Sequence, residues 1–168
     1  MIKSFEPIVG KDPKVLILGS MPSVMSLEKF QYYGHPRNQF WPILATLFKE
    51  KLEHPSDDQT YLSKLTLVKD RGIAIWDVLD SCEREGSLDS NIKNESPNEL
   101  KTFLEEHPTI KTIIFNGGKA EASFKKHFKA LYRDKRYTYI KMPSTSPAYT
   151  LKFEKKTLVW TSILRYLD

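Results

Sequence analysis

The sequence predicts an α/β domain with three layers, in which helices cover both faces of a parallel four-stranded central sheet. Short apolar or β-rich runs bounded by turn residues indicate strands, and segments with apolar residues at helical spacing lie between them. Strands that alternate with helices are typical of parallel sheets whose faces are both covered. With 168 residues and no internal repeat, we expect one domain over residues 1–168.

The four predicted strands share an apolar or β-branched body and an abrupt end. They are Val15–Leu18, Gly72–Trp76, Thr112–Phe115 and Tyr137–Met142. Pro143 stops the last of them, because proline lacks the N–H group that a strand ladder needs.

Five segments with apolar residues at helical spacing are the predicted helices. They are Gln39–Phe48, Asp57–Lys69, Pro97–Glu106, Gly118–Leu131 and Leu151–Leu167. Proline is favoured in the first turn of a helix, so Ser96 and Pro97 are expected to cap and open the third of them. The polar stretch of residues 83–96 is predicted to be a surface loop.

Composition narrows the class of protein. A net charge of +5, with 40% hydrophobic and 28% charged residues, is ordinary for a globular chain. The one cysteine, Cys82, excludes an internal disulfide and a multi-cysteine metal centre, and the histidines lack the spacing of metal ligands. No apolar run reaches the roughly 18–20 residues of a membrane span, and the first residues lack a signal-peptide pattern. We therefore expect a cytoplasmic monomer without a metal, a cofactor or a membrane partner.

Positive charge is concentrated between Lys119 and Lys141. Eight basic and two acidic residues give this window a net charge of +6, and aromatic residues are interleaved with them. A local basic field attracts polyanions, of which nucleic acid is the commonest, and a solvated helix face is the alternative. Lys119, Lys135 and Arg136 are the expected nucleic-acid contacts. They should lie near the loop at Pro143, because the last strand of the window leads into it.

The ends of the predicted strands indicate where a ligand binds, because in open α/β sheets ligands bind at the carboxyl ends of the strands. These ends are all polar or rich in small residues, so that the backbone can approach a ligand closely. They are Gly19–Ser23, Asp77, Asn116–Gly118 and Pro143–Ala148. Ser144, Thr145 and Ser146 offer hydroxyl and backbone donors of the kind that hold phosphate.

Several stretches at these strand ends resemble the uracil-DNA glycosylase superfamily. The first reads Gly-Ser-Met-Pro-Ser from Gly19, and His-Pro-Arg-Asn-Gln-Phe-Trp follows from His35. The second motif is similar to the mismatch-specific uracil and thymine glycosylases. Ser-Met in the first motif, where those enzymes carry Ile-Asn, is similar to the hypoxanthine-DNA glycosylase branch. Residues 72–79, 115–118 and 143–148 continue the resemblance in the same order, so it covers nearly the whole chain.

The resemblance implies a monofunctional DNA glycosylase, with DNA that contains a deaminated base as its partner and hypoxanthine in deoxyinosine as the expected target. Such an enzyme extrudes the base into a pocket that must stack on it, read its edge and position a water molecule. Water is the nucleophile, and donors aimed at the departing base stabilise its developing negative charge.

Asn38 is the expected catalytic residue. Related branches carry a catalytic Asp or Asn at the position of Met21, whose thioether can neither bind nor activate water. The carbonyl of Asn38 can accept from a water and its amide can donate, and the resemblance to the hypoxanthine branch assigns catalysis to this asparagine. Asn38 could equally cap the helix that begins at Gln39, and the two roles can coexist.

Tyr33 and Asp77 are the residues expected to hold the base. Tyr33 matches the base-stacking aromatic residue of the mismatch-specific enzymes, with Tyr32 as the alternative. Asp77 matches the base-reading asparagine of uracil-specific members, and a carboxylate that only accepts suits the N1–H group of hypoxanthine. The alternative role of Asp77 is to cap the following helix.

The resemblance also assigns the remaining residues of the expected site. Gly19, Ser20, Met21 and Ser23 would line the base pocket. Ser144 and Thr145 would bind the DNA backbone, and Ser146, Pro147 and Ala148 would press into the space that the base vacates.

Three other functions remain open from the residues. The first is a uracil-specific glycosylase. The second is a catalytically silent DNA-binding module, which Met21 at the usual catalytic position would explain. The third is a small-molecule hydrolase that uses Ser20, although the Gly-x-Ser-x-Gly spacing of a nucleophile elbow is absent.

Overall fold

The computed structural model of the chain describes residues 1–50 and 58–168. Its strands are β1 (Ile2–Lys3), β2 (Val15–Gly19), β3 (Ile73–Asp77), β4 (Leu79–Glu83), β5 (Lys93–Pro97), β6 (Thr112–Asn116) and β7 (Thr138–Met142). Its α-helices are α1 (Val24–Lys29), α2 (Phe40–Phe48), α3 (Asp58–Asp70), α4 (Leu100–Glu106), α5 (Gly118–His127), α6 (Lys129–Tyr132) and α7 (Phe153–Trp160). Segments of 3-10 helix cover Asp89–Asn91 and Thr161–Tyr166.

Four parallel strands form the central sheet, in the order β3–β2–β6–β7. The register places Gly19 opposite Asp77 and Asn116 opposite Met142, so the carboxyl ends of all four strands meet at one edge. The predicted parallel four-stranded sheet is confirmed. Each predicted strand lies within one residue of its observed bounds.

Alternate strand residues contact the two helical layers, because successive side chains of a strand point to opposite faces. Leu16 and Ile113 belong to the core cluster on the face covered by α4 and α5. Ile17 and Ile114 belong to the cluster on the face covered by α2 and α7. These four side chains are fully buried. The strands are therefore covered on both faces, which is the predicted three-layer arrangement.

The helices agree with the predictions in position but less well in their ends. The predicted helix Gly118–Leu131 is divided into α5 and α6, and the predicted Leu151–Leu167 is α7 followed by a 3-10 segment. For the predicted helix Asp57–Lys69, the first residue lies outside the described residues and α3 covers the rest. The short helix α1, which Ser23 caps through the N–H of Ser26, had no predicted counterpart. Within the described ranges, no helix is long and apolar enough to cross a membrane.

The prediction that residues 83–96 form a surface loop holds for residues 84–92 but is wrong at both ends of the range. Leu79–Glu83 and Lys93–Pro97 pair as an antiparallel hairpin, with β1 on its other edge. Pro97 ends a strand instead of opening a helix, and α4 begins three residues later at Leu100. The sequence of β5 gives no apolar signal because this edge strand is mostly exposed, so only pairing with β4 reveals it. We refer to residues 79–97 as the hairpin.

Glu95 fastens the hairpin to α5. Its carboxylate accepts from Lys119 Nζ at 2.7 Å and from Ser123 Oγ at 3.1 Å, and it lies 2.9 Å from His127 Nε2. Burial acts to raise the pKa of Glu95, but the hydrogen bonds from Lys119, His127 and Ser123 outweigh it and lower the pKa to about 2. The Glu95 cluster, made of these four residues, therefore contains an ionised carboxylate at neutral pH.

Candidate active site

A cavity of about 650 Å³ opens at the carboxyl ends of the central strands. All four predicted strand ends contribute to its wall, because β2, β3 and β6 end there and the loop after β7 closes one side. Pockets of about 300–1,000 Å³ are typical of small-molecule sites. The cavity is therefore large enough for a nucleobase.

The structure brings together most of the residues that were expected to form the site. The cavity is lined by the expected catalytic residue, by the expected base-pocket residues and by the loop after β7: Asn38, Gly19, Ser20, Met21, Ser23, Tyr33, Asp77, Ser144, Thr145, Ser146, Pro147 and Ala148. The structure therefore places these residues around one cavity, and their individual roles stay predictions.

Two of the three expected basic contacts lie away from the cavity. Lys119 directly follows Gly118, which lines the cavity, and it is bound to Glu95 in the Glu95 cluster. Lys135 and Arg136 precede β7, so they lie at the amino end of the strand whose carboxyl end reaches the cavity, and Arg136 pairs with Asp134 at 2.7 Å. The expectation that the basic window lies beside the loop at Pro143 is therefore wrong for Lys135 and Arg136, because the length of β7 separates these two residues from that loop.

Asp77 is a buried carboxyl group at the closed end of the cavity. Its side chain is at the end of β3 with 3% exposure, and Oδ2 has no hydrogen-bond partner among the described residues. Burial, and then the neighbouring charge of Asp89, raise the pKa of Asp77 to about 7, while Arg84 acts against the shift. The interpretation of Asp77 as a helix cap is wrong, because β4 follows it and the next α-helix begins at Leu100.

Tyr33 packs beside Asp77 on the glycine that ends β2. A Cβ atom on Gly19 would lie 2.6 Å from Asp77 Oδ1 and 3.1 Å from the Tyr33 hydroxyl, so only glycine fits there. Burial and the Asp77 charge raise the pKa of Tyr33, and the nearby Asn116 acts against the shift. The oxygen and the nitrogen of the Asn116 amide are both bound to Thr145. The Tyr33 hydroxyl has no hydrogen-bond partner within residues 1–50 and 58–168.

One face of the Tyr33 ring is covered by Phe40, with ring centroids 3.9 Å apart and an angle of 25° between the planes. The alternative residue, Tyr32, donates its hydroxyl to the carbonyl of Glu6 at 2.7 Å and is 3% exposed. Tyr33 therefore has the unpaired polar group, whereas Tyr32 is fixed by the surrounding fold.

Asn38 lies in the cavity wall at the start of α2. Its Oδ1 accepts from the N–H of Phe40 at 2.9 Å, which satisfies a donor in the first turn of the helix. This hydrogen bond confirms that Asn38 supports the helix start, although Gln39 is the residue at the formal cap position. It also restrains the Asn38 side chain, which lies in the cavity wall.

Hydrogen bonds from the end of β6 and from α7 hold the loop after β7. Asn116 donates to Thr145 Oγ1 at 3.0 Å and accepts from its N–H at 3.0 Å. Lys156, which is buried in α7, donates to the carbonyl of Ser146 at 3.3 Å. These three hydrogen bonds fix the shape of the loop.

One side of the cavity is formed by the tip of the hairpin, which the sequence did not predict. Ser87, Leu88, Asp89 and Ser90 line the cavity. The Ser20 hydroxyl donates to Asp89 Oδ1 at 2.7 Å, which ties the hairpin tip to the end of β2. The available signal was the polar and glycine-containing run itself, but polar residues of this kind are also found in ordinary surface loops.

Within residues 1–50 and 58–168, no group of three or more His, Cys, Asp or Glu side chains could hold a metal ion. Met21 is 8% exposed and lines the cavity. The polar side chains of the cavity wall carry carboxyl, amide and hydroxyl groups, together with the imidazole of His35 and the guanidinium of Arg37.

The sequence matches one protein family along almost its whole length. The matching family model is described as the uracil DNA glycosylase superfamily, and it covers residues 7–168. The chain belongs to this superfamily.

Two relatives are similar to the chain over 70% or more of its length. A protein of Methanosarcina acetivorans named hypoxanthine DNA glycosylase is 35% identical over 167 residues, which cover 99% of this chain and 100% of the relative. A protein of the same name from Methanosarcina barkeri is 36% identical over 118 residues, which cover 70% of this chain and 72% of the relative.

A solved structure shows the same fold. The solution NMR structure of a proposed uracil DNA glycosylase from Methanosarcina acetivorans superposes with a TM-score of 0.80 at 32% identity, and it covers 98% of this chain and 97% of that chain. The superfamily fold expected from the sequence is thereby confirmed.

The two segments that most resembled uracil DNA glycosylases are in direct contact. The N–H of Gln39, in the motif that begins at His35, donates to the carbonyl of Thr145 in the loop after β7 at 3.0 Å. The motifs are about a hundred residues apart in the chain, so only the parallel sheet order brings them together.

Proposed function

We propose that this chain is a monofunctional DNA glycosylase that releases hypoxanthine from deoxyinosine in DNA by hydrolysis. The observation that carries the proposal is a cavity of nucleobase size with unpaired, buried polar groups of Tyr33 and Asp77 at its closed end. The full-length similarity to a relative named hypoxanthine DNA glycosylase supports the choice of base.

In the proposed complex, the flipped base enters the cavity with its edge toward Asp77 and one face on Tyr33. The lactam edge of hypoxanthine combines an N–H donor with a carbonyl acceptor. An ionised Asp77 can accept from the N–H group, and a protonated one can also donate to the carbonyl. The unpaired Oδ2 would gain its partner when the base binds, as buried polar groups require.

Asn38 is proposed to position the attacking water. Its side chain is fixed by the hydrogen bond to the N–H of Phe40, so the remaining lone pair and the amide group point in constant directions. A positioned group can orient water beside the sugar carbon without a further ordering cost. Met21 provides only apolar contact at the position where related branches carry a polar side chain.

The loop after β7 is the proposed contact to the DNA backbone and to the gap left by the base. Ser144 would bind phosphate, and Ser146, Pro147 and Ala148 would enter the duplex, while Thr145 holds the loop in place and is too buried for the phosphate contact expected from the sequence. Ala148 is exposed at the mouth of the cavity, whereas Thr145 is 1% exposed and anchored by Asn116. We also propose that the enzyme acts as a monomer in the cytoplasm, where the buried free thiol of Cys82 would stay reduced.

A uracil-specific glycosylase is the second candidate, because uracil presents the same N–H and carbonyl edge to Asp77. With a pKa of about 7, Asp77 is partly protonated at neutral pH, so it can donate as well as accept. Its hydrogen bonding therefore does not by itself favour hypoxanthine over uracil. The cavity volume accommodates either base.

The test is a panel of duplexes that each contain one altered base, incubated with the enzyme and then treated with alkali to cut abasic strands. We expect strand scission for deoxyinosine, with slower scission for deoxyuridine. Scission of deoxyuridine alone would favour the second candidate. Binding of all duplexes without any abasic product would mean that the protein is a DNA-binding module.

A further inference from the structure

Asp77 places an unused carboxyl oxygen at the closed end of the cavity. Its side chain is 3% exposed, and Oδ2 has no hydrogen-bond partner in the part of the chain that the structure describes. The backbone around it is fixed, because Asn98 Nδ2 donates to the Asp77 carbonyl at 2.8 Å. The main chain at Asp77 is thus held rigidly, and the unpaired carboxyl oxygen belongs to a buried residue of the cavity wall.

The base, and not the sugar, would meet this oxygen. Exposure in the cavity wall rises from 3% at Asp77 to 47% at Tyr149 and 53% at Leu88, so the mouth lies between the hairpin tip and the loop after β7. A nucleotide flipped from DNA enters base first, because its sugar stays attached to the backbone at the mouth. Asp77 is therefore on the leaving-group side of the scissile bond.

Four titratable or charged side chains surround Asp77. Asp89 and Arg84 face it from the hairpin, and Tyr32 and Tyr33 face it from the segment before α2. Burial and the negative charge of Asp89 raise the pKa of Asp77 to about 7, and Arg84 opposes them. A substantial fraction of Asp77 therefore carries a proton at neutral pH.

Resting on the hypoxanthine glycosylase activity proposed above, we propose that Asp77 is a general acid that protonates the departing purine at O6 or N7. The N9–C1′ bond breaks and its electron pair stays on the base, while the proton of Asp77 passes to the acceptor on the purine edge. The hydroxyl group of the attacking water joins C1′, and the remaining proton of that water returns to the Asp77 carboxylate through solvent. The products are neutral hypoxanthine and an abasic sugar.

This step complements the role of Asn38. Cleavage builds negative charge on the base, and a proton donor at the closed end of the cavity neutralises that charge as it forms. Asn38 acts on the water side, near the start of α2, and Asp77 acts on the base side at the end of β3. A purine also offers two neighbouring acceptors, O6 and N7, within reach of one carboxyl group.

The experiment is a single-turnover measurement of hypoxanthine release from a deoxyinosine duplex, at saturating enzyme, between about pH 6 and about pH 9. The variants are Asp77→Asn, Asp89→Asn and the matched control Asp70→Asn, which changes an exposed aspartate at the end of α3, away from the cavity. Duplex affinity and the thermal unfolding midpoint are measured for each variant.

For the unaltered chain, we expect the rate to fall by about tenfold per pH unit above the Asp77 pKa, because only the protonated form acts. Asp77→Asn should lower the rate at about pH 6 by about 100- to 10,000-fold and remove the alkaline fall, since an amide donates a hydrogen bond but no proton. Asp70→Asn should match the unaltered chain at every pH.

Asp89→Asn provides a second test that does not remove the acid itself. The asparagine can still accept from Ser20, but it lacks the charge that helps raise the pKa of Asp77, so the alkaline fall should move to lower pH. An alkaline fall that persists in Asp77→Asn, or that stays in place in Asp89→Asn, would overturn the role of Asp77 as the acid. Absence of hypoxanthine release from the unaltered chain at every pH would overturn the proposed function itself.

Discussion

Asp77 Oδ1 lies 2.6 Å from the point that a Cβ atom on Gly19 would occupy, and the Tyr33 hydroxyl lies 3.1 Å from the same point. The last residue of β2 therefore determines how closely these two buried polar groups approach each other. Because Gly19 and Asp77 are paired in register across β2 and β3, backbone hydrogen bonding fixes this arrangement.

The first prediction is that Gly19→Ala lowers base release by about 100-fold, because displacement of a site group by about 1 Å has effects of that size. The added methyl group must push Asp77 or Tyr33 from its position. The measurement is the single-turnover rate on a deoxyinosine duplex. In the double variant Gly19→Ala/Asp77→Asn, the loss should be little larger than for Asp77→Asn alone, because both changes act on one group. Fully additive losses would contradict this explanation.

The second prediction separates the two functions of Asn38. Asn38→Ala should lower base release by about 100- to 10,000-fold and should lower the free energy of unfolding by about 1 kcal/mol, because Phe40 loses its acceptor. Asn38→Ser retains an acceptor for that N–H group, so it should recover most of the stability but little of the activity. Near-normal release by Asn38→Ser would mean that Asn38 serves only the helix.

The third prediction concerns the face that binds DNA. Arg37 is exposed at the mouth of the cavity, so Arg37→Gln should reduce the log–log dependence of duplex affinity on salt by about one unit if it contacts a phosphate. The matched control is Lys135→Gln, at the amino end of β7. We expect no change in slope for this variant. The reverse result would show that DNA binds across the basic window instead of the cavity mouth.

The fourth prediction concerns the Glu95 cluster. Glu95→Gln should lower the free energy of unfolding at neutral pH by about 1–3 kcal/mol, because charged hydrogen bonds to Lys119 and His127 are weakened. The pKa of Glu95 is depressed to about 2, so its stabilisation is present above the unfolded pKa of about 4.3 and is lost as pH falls toward 2. Urea unfolding across this range should therefore be less pH-dependent in Glu95→Gln.

The matched control for Glu95→Gln is Glu106→Gln, at an exposed position at the end of α4. Surface changes of this kind alter stability by about 0.5 kcal/mol or less. Equal effects of the two variants would mean that the Glu95 cluster contributes no more than an ordinary surface charge.

The central sheet could be predicted because its strands are buried on both faces. The central strands contain short runs that are apolar at every position, such as the runs around Leu16–Ile17 in β2 and Ile113–Ile114 in β6. Such a run can be recognised in the sequence without knowing which strands pair with it. The position of the cavity followed from the same strands, because parallel order brings their carboxyl ends to one edge. The motifs at Gly19 and His35 indicated the superfamily.

The hairpin could not be predicted in the same way. Most of β5 is exposed, and its stability comes from backbone pairing with β4 and from the attachment of Glu95 to α5. Backbone pairing does not depend on residue type, and exposed polar residues give no periodic apolar signal. The contribution of Asp89 to the cavity wall was missed for this reason.

The parallel three-layer fold, the superfamily and the residues that meet at the strand ends are all predictable from the sequence, because they depend on local apolar pattern and on motif. The folded chain is needed to find which of those residues keep unpaired polar groups, and to place Lys135 and Arg136 at the far end of the sheet. The raised pKa of Asp77 also depends on the fold. Burial, the proximity of Asp89 and the direction of a strand are relations between distant segments, and they come into existence only when the chain is folded.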